Sequence, residues 1–340
     1  MILLTGGAGY IGAVAVRELL DKGFAVRVLD KFLYGSYPLD AVKNQVEIVE
    51  GDICDLDESV LDGVKGVIHL AGLSNDPTAE FNPEANHRMN TVATQTIAEA
   101  CKRRGIKRFI FASSCSVYDR GLMAEDILQD ETSPLEPRAA YATSKFAAEQ
   151  ILLKLADDTF QPTILRQGTV YGWSPRMRYD LVINTFVKSA FEDRKLTVHC
   201  GGEMWRPLVD VTDVAKCYLA CLEADLGVVG GQIFNLSHKN YRILELAHWV
   251  KRALHDIVDI DIVVEYGSQR GRSYRVSTRK IENALGFRPL VSVEDSARDM
   301  ALKVKAGINA DFANPKYYNI RWLELLLEMQ AHLKRLGNIF

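Results

Sequence analysis

The opening run Met1-Ile2-Leu3-Leu4-Thr5-Gly6-Gly7-Ala8-Gly9-Tyr10-Ile11-Gly12 restricts the chain to few architectures. Ile2 to Leu4 are apolar enough for a buried strand, and the run passes at once into glycines and then into Val14 to Lys22, which suits a helix. Gly6, Gly9 and Gly12 allow a tight turn, close approach of the backbone to a pyrophosphate, and close packing of the helix on the sheet. The free N–H groups at the start of that helix then face the phosphates. A glycine trio also occurs in plain turns; the strand before it and the helix behind it supply the context that a dinucleotide site requires. A second strand, Ala25 to Leu29, ends in Asp30, an acid placed to bond the ribose hydroxyls of an adenosine and to repel a 2′-phosphate. Tyr10 and Ile11, inside the loop, join Gly6, Gly9, Gly12 and Asp30 as candidate cofactor contacts.

The same alternation continues downstream. Lys31 to Asn44, rich in Tyr, Gly, Ser and Pro, reads as a loop around the adenosine. Val46 to Glu50 alternates like a strand and runs into Gly51-Asp52-Ile53, where an acid and an apolar side chain can meet the adenine; for Asp52, capping a helix that starts near Leu56 is an equal alternative. Gly66 to Gly72 is the next buried strand, and Leu70, Ala71 and Gly72 lie at its carboxyl end, the edge where open parallel sheets bind ligands. Pro83 to Arg104 has helical spacing and carries Asn90, which can bond backbone beneath the site; Lys107 to Ser113 is a further strand. This pattern predicts an α/β fold with a doubly wound parallel sheet. Beyond Gln161 the character changes, which divides the chain into residues 1–172, mainly cofactor-binding, and residues 173–340, mainly a smaller α/β substrate region with some segments returning to the first sheet. The last long helix, Ile320 to Leu336, is Leu-rich and packs on the body or on another subunit.

Composition narrows the partners. A formal charge of −3 on 340 residues gives no basic excess for nucleic acid. Six cysteines without a Cys-x-x-Cys pair suit reduced thiols, and Cys217 and Cys221 are expected to share a core helix face. Seven histidines without His-x-x-x-His spacing give no metal site. No charged segment precedes the first apolar residues and no run is as long as a membrane span, so the expectation is a cytoplasmic protein without leader or anchor.

Ser113-Ser114-Cys115-Ser116-Val117-Tyr118 follows the fifth strand directly, and Tyr141-Ala142-Thr143-Ser144-Lys145 opens a helix that runs to about Leu155. Tyr141 and Lys145 share a helical face, so the ammonium can lower the phenol's pKa and bond the cofactor ribose. That makes the phenolate a candidate general base. An isolated pair of this kind is more often structural; behind a dinucleotide loop and a hydroxyl-rich strand end it points to catalysis. Taken in order, the glycine loop, Asp30, Asp52-Ile53, His69-Leu70-Ala71-Gly72, Ser113 to Tyr118 and Tyr141 to Lys145 resemble the extended short-chain dehydrogenase/reductase family, and more narrowly its nucleotide-sugar epimerases and dehydratases. The resemblance implies a Rossmann-type sheet, NAD as cofactor, a nucleoside-diphosphate sugar as substrate, and a homodimer through helices such as Pro83 to Arg104 and Tyr141 to Leu155. It also implies Ser114 as the substrate-bonding hydroxyl, Tyr141 as the base and Lys145 as its partner.

In the second half, Gln167 to Gly172 resembles the family's Arg-x-x-Asn-Val-Tyr-Gly, with Thr169 where Asn usually contacts the substrate diphosphate. Three arginine clusters, at Arg176 and Arg178, at Arg206, and at Arg270, Arg272 and Arg275, stand out in a chain of net −3, and arginine forks suit phosphate oxygens. The expected substrate set is Ser114, Ser116, Thr169, Arg176, Arg178, Arg206 and Arg272, the last two by their match to family positions. Asp119 to Pro134, longer and more acidic than the family's usual turn, reads as a flap over the sugar or as a solvated loop. Family 4,6-dehydratases carry Asp-Glu after the hydroxyl residue; here Cys115 and Ser116 stand there, and Cys115 is an acid or base only with a shifted pKa. The expected activity is an NAD-dependent 4-epimerisation through a transient 4-keto sugar. Net oxidation or reduction at C4, dehydration, and a non-catalytic NAD-binding sensor or scaffold are the alternatives.

Overall fold

Ile2, Leu3 and Leu4 are buried, the last two completely, and the architecture follows from how they are covered. The computed structural model describes residues 1–119, 127–267 and 273–336. Strands β1 (Ile2–Thr5), β2 (Val26–Asp30), β3 (Glu47–Glu50), β4 (Gly66–His69) and β5 (Arg108–Ser114) alternate with helices α1 (Gly12–Asp21), α2 (Asp76–Phe81), α3 (Pro83–His87) and α4 (Ala93–Arg103). Then come β6 (Leu128–Gln129), α5 (Ala140–Leu155), β7 (Gln161–Gln167), β8 (Thr169–Tyr171), α6 (Val182–Glu192), β9 (Lys195–Val198), β10 (Trp205–Asp210), α7 (Val211–Glu223), α8 (Leu226–Val229) and β11 (Ile233–Leu236). The chain continues through β12 (Lys239–Arg242), α9 (Ile243–Ala253), β13 (Asp261–Val264), β14 (Arg275–Val276), α10 (Arg279–Leu285), α11 (Val293–Lys305) and α12 (Asn319–Leu336).

Seven of these strands form one parallel sheet in the order β11-β7-β5-β4-β1-β2-β3. From β1 the chain winds outward to β2 and β3, then crosses to β4 on the other side, so the strand order reverses beside β1. A crevice opens there at the carboxyl edge, where such sheets bind ligands. Leu4 packs with Val16 and Leu19 of α1 and with Cys217 and Cys221 of α7, which do share a buried face. Leu3 packs on the opposite side with Ile97 and Cys101 of α4 and Leu152 of α5. Helices on both faces explain why β1 is apolar throughout. Strand β3 ends the sheet with exposed Glu47 and Glu50, a charged edge that discourages further pairing.

Residues 233–236 return from the second half to the opposite edge as β11. A separate cluster including Met177, Phe186, Leu246 and Met300 forms the core of the second half, beside the smaller sheet β12-β10-β8. The helix expected over Pro83 to Arg104 is broken: α3 gives way to a π-helical turn at Arg88–Val92 before α4 begins. A π turn shifts the register of the helix face by one residue and commonly marks a functional position; here it carries the fully buried Asn90.

Candidate active site

Two glycines shape the floor of the crevice. Gly6 has φ +76°, and a Cβ there would lie 2.8 Å from the Ala71 nitrogen; a Cβ on Gly12 would lie 2.1 Å from the Gly6 oxygen. The loop can therefore lie flat across the end of β4 with α1 packed onto it. Asp30, at the end of β2, accepts the Ala8 N–H at 2.9 Å and the Phe32 N–H at 2.8 Å. Burial raises its pKa, and these backbone donors, with Arg176 nearby, oppose the rise. Asp52 binds the Lys31 ammonium at 2.6 Å and accepts the Cys54 N–H at 2.9 Å. The helical turn that follows is capped by Asp57, so the capping alternative for Asp52 falls. Gly6, Gly9, Tyr10, Ile11, Gly12, Asp30, Asp52, Ile53, Leu70, Ala71, Gly72, Tyr141 and Lys145 all line one cleft. Tyr10 also ties the loop to the second half: its hydroxyl donates to the Gly172 carbonyl at 2.6 Å, and its own carbonyl accepts the Ser174 hydroxyl at 2.7 Å. Beneath the cleft, the Asn90 amide donates to the Leu73 carbonyl at 2.9 Å and to Asn86 Oδ1 at 2.7 Å.

Beside this cleft β5 ends in Ser114, whose side chain is hydrogen-bonded to Tyr141 on the first turn of α5. Lys145, one turn on, is buried; its Nζ donates to the Ala112 carbonyl at 2.9 Å and lies 5.9 Å from the centre of the Tyr141 ring. Burial draws the Lys145 pKa down to about 8, with Glu149 opposing. The phenol differs from expectation. Burial, then the Asp76 carboxylate, push the Tyr141 pKa up, while Arg178 and Ser114 oppose them. The desolvation of the ring outweighs the cationic help that a Tyr-x-x-x-Lys pair implies, and Tyr141 is a phenol in this structure.

Cys115 turns away from this chemistry. It is fully buried in a cluster with Val117, Tyr118 and Val276, its Sγ donates to the Arg166 carbonyl at 3.1 Å, and burial raises its pKa strongly. A thiol so enclosed cannot exchange protons with a sugar, which removes Cys115 as acid or base. Ser116 is buried behind Ser114, and its N–H donates to Ser114 Oγ at 3.1 Å.

The arginines sort themselves by position. Arg176 and Arg178, expected with the substrate, line the same cleft as the glycine loop. Arg178 pairs with Asp180, Nε to Oδ1 at 2.8 Å, and donates to Ser74 Oγ at 3.2 Å. Arg176 lies with its guanidinium 3.8 Å from the centre of the Tyr34 ring and donates to Asn319 Oδ1 at 2.6 Å. Among the described residues its buried Nε has no hydrogen-bond partner. Burial draws its pKa down to about 10. Arg206, on β10, holds its guanidinium 5.5 Å from the Tyr274 ring centre, and Tyr274 in turn is close enough to Tyr141 to influence its titration. Thr169, on β8, is paired with Leu208 of β10 and does not line the cleft. Arg272 lies outside the described residues, as does the middle of the expected flap; the flap's end forms β6, paired with β14, and Glu131 accepts the Asn235 N–H at 2.6 Å. Asp76, Tyr34, Ser74, Asn319 and Tyr274 escaped the sequence reading. Only Asp76, an acid beside a proline just past a strand end, left a local signal.

Residues 2–237 match the model of a family described as NAD dependent epimerase/dehydratase. The chain belongs to this family. It is therefore an NAD-dependent nucleotide-sugar enzyme of the extended short-chain dehydrogenase/reductase type. Relatives within the family include a dTDP-glucose 4,6-dehydratase of Streptomyces niveus, 29% identical over 86% of this chain and 89% of its own. A UDP-glucose 4-epimerase of Corynebacterium glutamicum is 25% identical over 85% of this chain and 90% of its own. In fold the chain is similar to the UDP-glucose 4-epimerase of Thermotoga maritima solved with UDP-glucose, with a TM-score of 0.80 at 23% identity, over 90% of this chain and 99% of that one. NAD fits the cleft on the structure's own terms: a glycine cradle that side chains would fill, a carboxylate at the ribose end, and a buried guanidinium with an unmet donor. Among the described residues no group of three or more His, Cys, Asp and Glu side chains is placed to hold a metal ion, and no helix is long and apolar enough to cross a membrane.

Proposed function

We propose that the protein is a nucleoside-diphosphate-sugar 4-epimerase working through a transient 4-keto sugar. The observation that carries this reading is Tyr141 bonded to Ser114 at the cleft, one proton-exchanging phenol against the hydroxyl-bearing strand end, with Cys115 sealed in the core where a dehydratase of the family has its acid pair. Epimerisation at one carbon needs only that. Bound NAD supplies the hydride acceptor. Ser114 Oγ orients the C4 hydroxyl; Tyr141, once it has lost its own proton, takes the C4 hydroxyl proton on Oη, holds it as the phenol while the 4-keto sugar exists, and returns it to the same oxygen, and the Lys145 ammonium supports the phenolate before and after that interval. Arg176 and Arg178 belong to the cofactor's pyrophosphate rather than to the substrate. Arg206, through its contact with Tyr274, and Thr169 stay with the substrate side. Asp30 directs selection towards NAD, and Lys31, held by Asp52, is kept from a 2′-phosphate. The 4-epimerase relatives support the epimerase reading. The proposal further includes a cytoplasmic location and a homodimer, the latter tested by light scattering.

The deciding experiment incubates the purified protein with NAD and a panel of UDP- and dTDP-hexoses and follows products by NMR. A 4-epimer without net NADH is expected. Stoichiometric NADH would make the protein a C4 dehydrogenase, loss of water a dehydratase, and no turnover with bound NAD a sensor or scaffold.

A further inference from the structure

Asn319 lines the cofactor cleft although it comes from the far end of the chain, well beyond the residues that match the family model. It is the first residue of α12, is 4% exposed, and uses its whole amide: Oδ1 accepts from Arg176 Nη2 at 2.6 Å and Nδ2 donates to Ser74 Oγ at 2.9 Å. One helical turn on, the Trp322 indole N–H donates to the Leu33 carbonyl, in the loop that carries Tyr34. Arg176 is thereby gripped twice by the same segment, directly through Asn319 and indirectly through the loop whose Tyr34 ring lies against its guanidinium. Arg178 has Asp180 as its counter-charge, whereas no carboxylate among the described residues lies within ion-pairing distance of Arg176. Asp180 and Asp30 act on Arg176 only from beyond ion-pairing distance; a buried cation without a direct counter-ion, in the cleft of a phosphate-cradling loop, is arranged to meet a phosphate.

We infer that the C-terminal segment 315–336 is a clasp on the cofactor: Asn319 is a positioning residue that holds Arg176 against the pyrophosphate, and the dinucleotide leaves when this segment lifts. The inference rests on the family's cofactor and is independent of which carbon of the sugar is oxidised. It accounts for retention of NAD between the two hydride transfers of an epimerisation, a step at which release would strand the keto sugar.

The test follows NADH release from the full-length protein, by fluorescence after mixing with excess NAD, alongside thermal unfolding. Asn319→Ala should raise the release rate about tenfold or more, as loss of a hydrogen bond to a charged group does. Asn319→Asp should release NADH faster still, because the new carboxylate neutralises Arg176 from within. A purely structural amide would show the reverse order, since Asp keeps the shape that Ala loses. Trp322→Phe, which keeps the ring and removes only the bond to Leu33, should also accelerate release. Folded variants that all release NADH at the unaltered rate overturn the clasp while leaving the cofactor reading intact. Failure of the unaltered protein to bind NADH overturns both.

Discussion

In the proposed reaction Tyr141 must give up a proton from a buried position beside the Asp76 carboxylate, and both features hold that proton on. Its partner Lys145 is strained in the opposite sense, an ammonium drawn down to about 8 by burial. Two outcomes follow for single residues. Tyr141→Phe keeps the ring that lines the cleft and removes the proposed proton carrier, so NADH binding by fluorescence should persist while kcat falls by roughly 10²- to 10⁴-fold. The Lys145 pKa lies below its unfolded value near 10.5, so between about pH 8 and 10.5 the unfolded chain binds the extra proton and stability rises with pH. The gain is on the order of 3 kcal/mol across that range. Activity should move the other way over the same interval, as the ammonium loses its charge. Denaturant unfolding of the NAD-free protein from pH 7.5 to 10.5, with Lys145→Met as the control that flattens the slope, checks the sign.

At the scale of elements, the glycine loop and α1 are one unit, because a Cβ on Gly12 would strike the Gly6 carbonyl. Gly12→Ala should push α1 off the loop, lower stability by about 1–3 kcal/mol and weaken NAD binding more than tenfold, as calorimetry would record. The strands around that unit were legible in the sequence, because a central parallel strand is apolar on both faces and its glycine turn is local. Asp30 was legible for the same reason: it sits at the end of the neighbouring strand. Arg176 and Arg178 were expected as phosphate-binding forks on the substrate side, whereas they line this cleft; a guanidinium fork does not record which cleft it enters, which depends on how residues 172–180 cross back over the glycine loop, through Tyr10. The π turn around Asn90 was hidden because its sequence carries ordinary helical spacing. Asn319 was hidden altogether: its partners Arg176 and Ser74 are brought to it only by the completed fold.

On the scale of the whole molecule, the two halves meet along the cofactor cleft. Tyr10 and Asn184 bind across it, Asn184 Nδ2 donating to the Tyr10 hydroxyl at 3.1 Å, and Ser74, Asn319 and Arg176 form a second seam. The NAD-free protein keeps the Arg176 charge inside one of these seams without an ion pair among the described residues, a cost that the proposed phosphate contact offsets. Arg176→Met should therefore raise the thermal midpoint of the NAD-free protein and shrink the rise that saturating NAD produces, a pair of opposite shifts that scanning fluorimetry would resolve. In the unaltered protein, binding at about a thousand times the dissociation constant adds roughly 4 kcal/mol to the folded state. Under the proposed clasp on Arg176, the dinucleotide becomes a stabilising part of the fold as well as a reagent. Proteolytic lifetime should then follow the supply of NAD, with the chain most vulnerable wherever that supply runs short.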